Sequence, residues 1–131
     1  MKTLCVICPV YNEEEIIEKF YQELKTVLLT TTADYQPSIL FVVDRCQDHT
    51  LEILKRLSQT DPCLQILALS SRFGHQMSLL AGMDHCNADV VIMMDSDLQH
   101  PPDLIPTMLA DYERGYEIVY TVRQDSPEVN F

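Results

Sequence analysis

Short runs of consecutive apolar residues alternate along this chain with longer stretches in which apolar positions recur every three or four residues. The runs are Leu4–Cys8, Ile39–Val43, Leu64–Leu69 and Val90–Met94. Runs of this length bounded by polar residues predict strands buried on both faces. Pro9 closes the first run, because proline cannot continue a central strand. Ile16, Ile17, Phe20, Tyr21, Leu24, Val27 and Leu28 follow the helical period and predict a helix from residue 13 to about 29. Acids crowd its first turn, where the helix dipole favours them. Thr30 to Pro37 is a polar connection. Asp48 is placed to cap a helix over 49–58, with Leu51, Leu54 and Leu57 inward. His75–Cys86, rich in Met, Leu and Ala, predicts a third helix. Leu104, Ile105, Met108, Leu109 and Tyr112 predict a fourth, starting near Asp103 because Pro106 must lie in its first turn. Gly115 stands as its C-terminal cap, and Glu117–Val122 predicts a fifth strand.

Strand and helix in strict alternation predict one α/β domain over residues 1–131, a mainly parallel sheet with helices on both faces. A hydrophobic share of 47% and a charged share of 22% are ordinary for a soluble globular chain. The net charge of −11 is not ordinary. It argues against nucleic acid and against docking to an anionic leaflet, both of which need basic patches, so no nucleic-acid partner is expected. A phosphate-bearing ligand would meet a repulsive field that a divalent cation relieves. Five cysteines are scattered singly apart from Cys5-x-x-Cys8. Within a strand those two point to opposite faces or are offset along the pleat, which suits neither a redox motif nor a zinc knuckle. The odd count without a secretory signal predicts reduced thiols and a cytoplasmic location. No segment approaches the ~20 apolar residues needed to cross a bilayer.

Candidate chemistry lies just past the strand ends. The fourth run stops abruptly in Asp95-Ser-Asp97, two carboxylates one residue apart. Acids that close repel unless a cation holds them or one keeps its proton. Mg²⁺ or Mn²⁺, hard ions that take oxygen ligands, are the natural occupants. The competing reading is two acids capping a turn. The first run gives Pro9-Val-Tyr-Asn-Glu13 and the second gives Asp44. Should the three strands be neighbours, these clusters open into one crevice suited to a nucleotide. Tyr11 would stack on a base, Asp44 would accept a base N–H, and the cation would bridge the pyrophosphate. Interface packing for Tyr11 and a turn cap for Asp44 are the alternatives. The three glycines, Gly74, Gly82 and Gly115, open no helix after the first strand, so the dinucleotide fingerprint and the P-loop are both missing. No serine sits in a nucleophile elbow. Haloacid dehalogenase-type phosphatases also use Asp-x-Asp, but after their first strand.

Val6-Ile-Cys-Pro-Val-Tyr-Asn-Glu-Glu-Glu15 resembles the opening of family 2 glycosyltransferases with the GT-A fold. Phe73-Gly-His-Gln76, Leu80-Ala-Gly-Met-Asp84, Met94-Asp-Ser-Asp-Leu-Gln-His-Pro-Pro-Asp-Leu-Ile-Pro106 and Gly115-Tyr-Glu-Ile-Val-Tyr-Thr-Val-Arg123 resemble its dolichol-phosphate mannose synthase-like and bactoprenol glucosyltransferase-like branch. The resemblance implies a Rossmann-like GT-A nucleotide-diphospho-sugar-binding domain. By it, Pro9, Tyr11 and Glu13 hold the nucleoside and Asp44 meets the base. Asp95 touches the sugar nucleotide and, with Asp97 and Gln99, binds the divalent ion; Arg123 faces the phosphates. The implied reaction is an inverting transfer from a UDP- or GDP-sugar to a polyprenyl phosphate at the cytoplasmic face of the membrane.

The chain departs from the family in three places. Val43-Asp-Arg-Cys-Gln-Asp-His-Thr50 has Arg45 and His49 where relatives carry glycines, so this loop must take another conformation. Ser70-Ser-Arg-Phe-Gly74 departs from the commoner pattern of the branch, and Gln124 and Asp125 stand where a second basic residue is often seen. Relatives run on into an acceptor-binding half and membrane-associated segments, so the chain corresponds to their nucleotide-binding half. Apolar surface left where that half docks favours self-association. A non-catalytic sugar-nucleotide-binding or assembly module is the rival reading. His75, His85 and His100 are taken as ordinary polar residues.

Overall fold

The computed structural model describes residues 1–98 and 101–116. The expected fifth strand, Gln99, His100 and Arg123 lie outside the described residues. Nine elements follow one another: β1 (Lys2–Val10), α1 (Ile17–Leu29), β2 (Tyr35–Val43), α2 (Thr50–Ser58), β3 (Leu64–Ala68), α3 (His75–His85), β4 (Val90–Met93), a 3₁₀ turn (Pro102–Leu104) and α4 (Ile105–Glu113). The four strands form a parallel sheet in the order β3-β2-β1-β4.

Burial on both faces explains why the strands are apolar runs. Leu4, Val6, Cys8 and Val10 of β1, with Ile39, Phe41 and Val43 of β2, join the cluster built on α1, α2 and α4. Phe20 of α1 meets Phe41 edge-on, with ring centroids 6.3 Å apart. Cys5, Ile7, Leu40 and Val42 point to the other face, where α3 covers them. Cys5 and Cys8 therefore face opposite sides of the sheet, as strand geometry requires. The α3 seat is close. A Cβ on Gly82 would stand 2.6 Å from Ile7 Cγ2 and 3.0 Å from Val42 Cγ2, so only glycine lets the helix lie this near.

Two prolines extend the strands beyond their predicted bounds. Pro9 does not end β1, which pairs with β2 as far as Val10. Its nitrogen faces β4, one step past the last ladder bond there, Met94 N–H to Ile7 C=O at 2.9 Å. Proline thus ends one ladder while the other continues. Pro37 lies inside β2, and Tyr35–Pro37 are strand rather than connection. It faces the β3 side, ahead of the first bond to that strand, from Ile39 N–H to the Cys63 carbonyl. In both cases the missing donor falls where no neighbour accepts from it. The first helix begins at Ile17, later than predicted, for reasons that lie in the site. The Gly115 cap is as expected: φ is +102° and its N–H reaches the Tyr112 carbonyl at 3.0 Å.

The chain winds from β1 out to β2 and β3, then crosses back to place β4 on the far side of β1. Right-handed crossovers in opposite directions put α1 and α2 on one face and α3 on the other. The order reverses at β1 and β4, which opens a crevice above their carboxyl ends. Among the described residues β4 pairs with β1 alone, and its Val91 and Met93 are exposed on the α3 side. None of the described helices is long and apolar enough to cross a membrane.

Candidate functional site

A cavity of about 250 Å³ occupies that crevice. Pro9, Tyr11 and Glu13 reach it from β1, Asp44 from β2, and Asp95 and Asp97 from β4. Every described residue that the sequence picks out for a site therefore lines one cavity. Arg72, His75 and Ser78 complete the wall from α3 and the loop before it. A wider depression of about 720 Å³ lies at the opposite end of the strands, around Lys2, Tyr35 and Tyr112, with none of these acids near it.

The loops after β1 and β2 are laced together. Asn12 adopts a left-handed φ of +50° and its side-chain oxygen accepts the Gln47 N–H at 2.8 Å. The Glu13 N–H donates to Thr50 Oγ1 at 2.9 Å and the Glu14 N–H to Asp48 Oδ2 at 3.2 Å. Asp48 Oδ1 accepts both the N–H and the hydroxyl of Thr50, the first residue of α2, at 3.0 and 2.6 Å. Glu14 in turn accepts the His49 N–H at 3.0 Å. Glu13 and Glu14 are spent on this lacing, which is why α1 starts at Ile17. Neither Arg45 nor His49 takes a positive φ; among the described non-glycine residues only Asn12 and Leu98 do. The loop thus closes without a left-handed residue at either position.

Asp44 is 2% exposed, and its carboxylate is filled by its own chain. Oδ1 accepts the Arg45 and Phe73 N–H groups at 3.0 and 2.9 Å. Oδ2 accepts the Gly74 N–H at 2.9 Å and pairs with the Arg72 guanidinium. Burial works to raise this carboxyl, but the donors from Phe73, Gly74, Arg45 and Arg72 prevail and hold it below the ordinary aspartate range. Four donors exhaust a carboxylate. The direct base contact expected of Asp44 has no acceptor left for it; Asp44 serves the crevice by anchoring residues 72–74. Arg72 then lies over the Tyr11 ring, 3.8 Å from its centroid, and covers one face of the expected stacking platform.

The other end of the crevice is acidic. Glu13 is pushed up by burial and, next, by the negative charges of Asp97 and Asp48. Asp95 Oδ1 lies 2.7 Å from His75 Nε2. Met94 N–H and Ser96 Oγ, bonded to the Ile7 and Pro9 carbonyls at 2.9 and 3.1 Å, pin the backbone on either side of Asp95. Leu98 is left-handed at φ +66°, a costly conformation for a bulky side chain and one that concentrates at functional sites. Among the described residues no three acidic, His or Cys side chains gather as a complete metal cluster. The donors present are nonetheless hard carboxylate oxygens on an acid-crowded rim, which fits a divalent cation completed by further ligands.

Arg72 and His75 escaped the sequence reading. Arg72 carried a signal, a lone cation just past the third strand, where the other strand ends bear acids. For His75 the signals were its place in the Phe73-Gly-His-Gln76 motif and its position as the first residue of the helix that Gly74 opens.

The parallel sheet, its order and its covering helices are those of a Rossmann-like GT-A fold. Solved structures agree on the fold. A mannosyltransferase from Pyrobaculum calidifontis, in complex with GDP-Man and Mn²⁺, superposes with a TM-score of 0.68 at 23% identity, over 81% of this chain and 31% of that one. Glucosyl-3-phosphoglycerate synthase from Mycobacterium tuberculosis, with Mn²⁺, UDP and phosphoglyceric acid, gives 0.65 at 22% identity, over 85% of this chain and 39% of that one. The profile of glycosyl transferase family 2 matches residues 5–131, and the chain belongs to that family. It is 43% identical over 118 residues to the glycosyltransferase YkcC of Bacillus subtilis, covering 90% of this chain and 36% of YkcC. It is 34% identical over 122 residues to the bactoprenol glucosyl transferase of Shigella phage SfV, covering 93% of this chain and 39% of that protein. The chain thus spans well under half the length of these curated relatives.

Proposed function

We propose that this chain forms the sugar-nucleotide-binding part of a divalent-cation-dependent, inverting glycosyltransferase that uses a UDP- or GDP-sugar and a polyprenyl phosphate acceptor on the cytoplasmic side of a membrane. The observation that carries the reading is the meeting of Tyr11, Glu13, Asp44, Asp95 and Asp97 in one cavity at the strand-order reversal. The likeness to bactoprenol glucosyl transferase supports the acceptor class.

Tyr11 and Arg72 form the nucleoside end, where a ring and a guanidinium offer a stacking surface and N–H donors. Asp44 holds Arg72 and the 72–74 backbone in place, and Pro9 and Glu13 close the side wall. Asp95 and Asp97 would hold the cation (Mg²⁺ or Mn²⁺); Gln99, the expected third ligand, and Arg123, expected toward the phosphates, lie outside the described residues. When bound, the cation neutralises the charge that builds on the departing diphosphate. Asp95 also orients the sugar nucleotide. Because a phosphomonoester has a second pKa of ~6, the acceptor oxygen attacks as an anion and no residue of this chain need take its proton.

Calorimetry with UDP-sugars and GDP-mannose, with and without Mn²⁺, tests the binding. Nucleotide affinity is expected to depend on the cation and to vanish in Asp97→Ala. Cation-independent affinity that survives this substitution would remove the reading. Transfer to a short polyprenyl phosphate separates an enzyme from a binding module. No transfer by this chain or by a longer form would favour the module.

A further inference from the structure

The backbone on either side of Asp95 is pinned to β1 by the Met94 and Ser96 bonds, which places its carboxylate on the crevice rim. The His75 ring stands against that carboxylate, 2.7 Å away. An ionised carboxylate only accepts, so the bond requires the proton on Nε2. His75 in turn is held by what lies behind it. It is the first residue of α3, directly after Gly74, whose N–H is bound to Asp44, and the Ser78 hydroxyl closes the turn on the Gly74 carbonyl at 2.9 Å. A line of contacts therefore runs across the crevice, from Asp44 through residues 72–74 and His75 to Asp95.

We propose that His75 is a positioning residue for Asp95, turning its carboxylate into the orientation in which it binds a divalent cation. The inference rests on the cation site proposed above and extends it to a residue outside the ligand set. Carboxylate ligands are commonly oriented by a hydrogen bond from behind, and loss of such a partner weakens metal binding about 10–100-fold. The His75 side chain is 57% exposed, so its removal leaves the fold alone and acts on the site.

Mn²⁺ alone is the probe, titrated against the whole chain by the paramagnetic resonance of the free ion, without nucleotide. His75→Ala is expected to weaken Mn²⁺ binding about tenfold with no change in thermal midpoint. His75→Gln, whose amide N–H reaches as far as Nε2, recovers most of the loss, which a merely structural role would not produce. In the metal-free protein Asp95→Asn shifts the ¹⁵N resonance of the His75 ring. Unchanged or tighter Mn²⁺ binding in His75→Ala, alongside loss in Asp97→Ala, overturns the role of His75 and leaves the cation site standing. Failure of the unaltered chain to bind Mn²⁺ overturns both.

Discussion

Two aspartates stand at the carboxyl ends of two strands in the same sheet, and they have opposite characters. Asp44, past β2, is buried and saturated: three backbone N–H groups and a guanidinium fill its oxygens. Asp95, past β4, keeps a third of its side chain exposed and meets the exposed ring of His75. Both end an apolar run in the sequence, and both were assigned to ligand on that ground. The difference lies in what folds back over them. A buried carboxylate given every donor it can take belongs to the scaffold. One that stays a third exposed lines the wall of the crevice, where a ligand can reach it.

The contrast breaks most directly at its stable end. Asp44→Ala leaves three backbone donors without an acceptor and frees the 72–74 loop. At roughly 1–3 kcal/mol for a buried group left unsatisfied, the expected loss in urea denaturation is about 3 kcal/mol. Asp95→Ala is expected to cost about 1 kcal/mol or less, as partly exposed ion pairs do, while abolishing Mn²⁺-dependent nucleotide binding. Equal losses of stability in the two variants would erase the distinction.

Acid sharpens it next. The Asp44 pKa is lowered on folding, so its contribution is present above the unfolded value of about 3.9 and is lost as pH falls through the folded one. Asp48 and Asp61 are lowered too, each by donors that outweigh burial. The unaltered chain should therefore lose stability steadily below about pH 4. Asp44→Asn should start lower and fall less steeply. An identical slope in urea titrations at pH 5 and pH 3 would show that Asp44 gains nothing from its donors. Arg72→Ala follows in size. Loss of the guanidinium removes both the stack on Tyr11, worth about 0.5–1 kcal/mol, and one donor of buried Asp44, so stability should fall by about 2 kcal/mol. Nucleotide affinity should fall further than stability does, and calorimetry shows whether it does.

The sheet and the crevice were legible because a strand buried on both faces must be apolar, and polarity returns where it leaves the sheet. Val90–Met93 and Ile39–Val43 declared themselves in this way, and Asp95 and Asp44 with them. What could not be read is what depends on distant neighbours. Pro9 and Pro37 are tolerated because the adjacent ladder is absent on one side at that level, which a single sequence does not reveal. Asp44 is saturated only because residues 72–74 come back across it, about thirty positions along the chain. The late start of α1 has the same origin, in the bonds from Glu13 and Glu14 to Thr50 and Asp48. His75 stands in the Phe73-Gly-His-Gln76 motif, but nothing in that motif gives its partner; helix α3 brings it to Asp95.

That dependence on α3 can be tested from the far side of the helix. Gly82 lies two turns from His75 and lines no part of the crevice, yet it sets how close α3 sits to β1 and β2. Gly82→Ala gains roughly 1 kcal/mol of helix propensity. Against this stands a methyl group placed 2.6 Å from Ile7 Cγ2 and 3.0 Å from Val42 Cγ2. Overpacking a close seat typically costs about 1–3 kcal/mol, so the net loss should be about 1 kcal/mol. Relief comes by lifting α3 off the sheet, because both neighbours belong to paired strands. A lifted α3 carries His75 away from Asp95, whose backbone stays pinned to β1. Mn²⁺ affinity should then fall in Gly82→Ala as it does in His75→Ala, and combining the two should add little. Full Mn²⁺ affinity in Gly82→Ala, with stability reduced, would mean that the His75 contact tolerates movement of its helix.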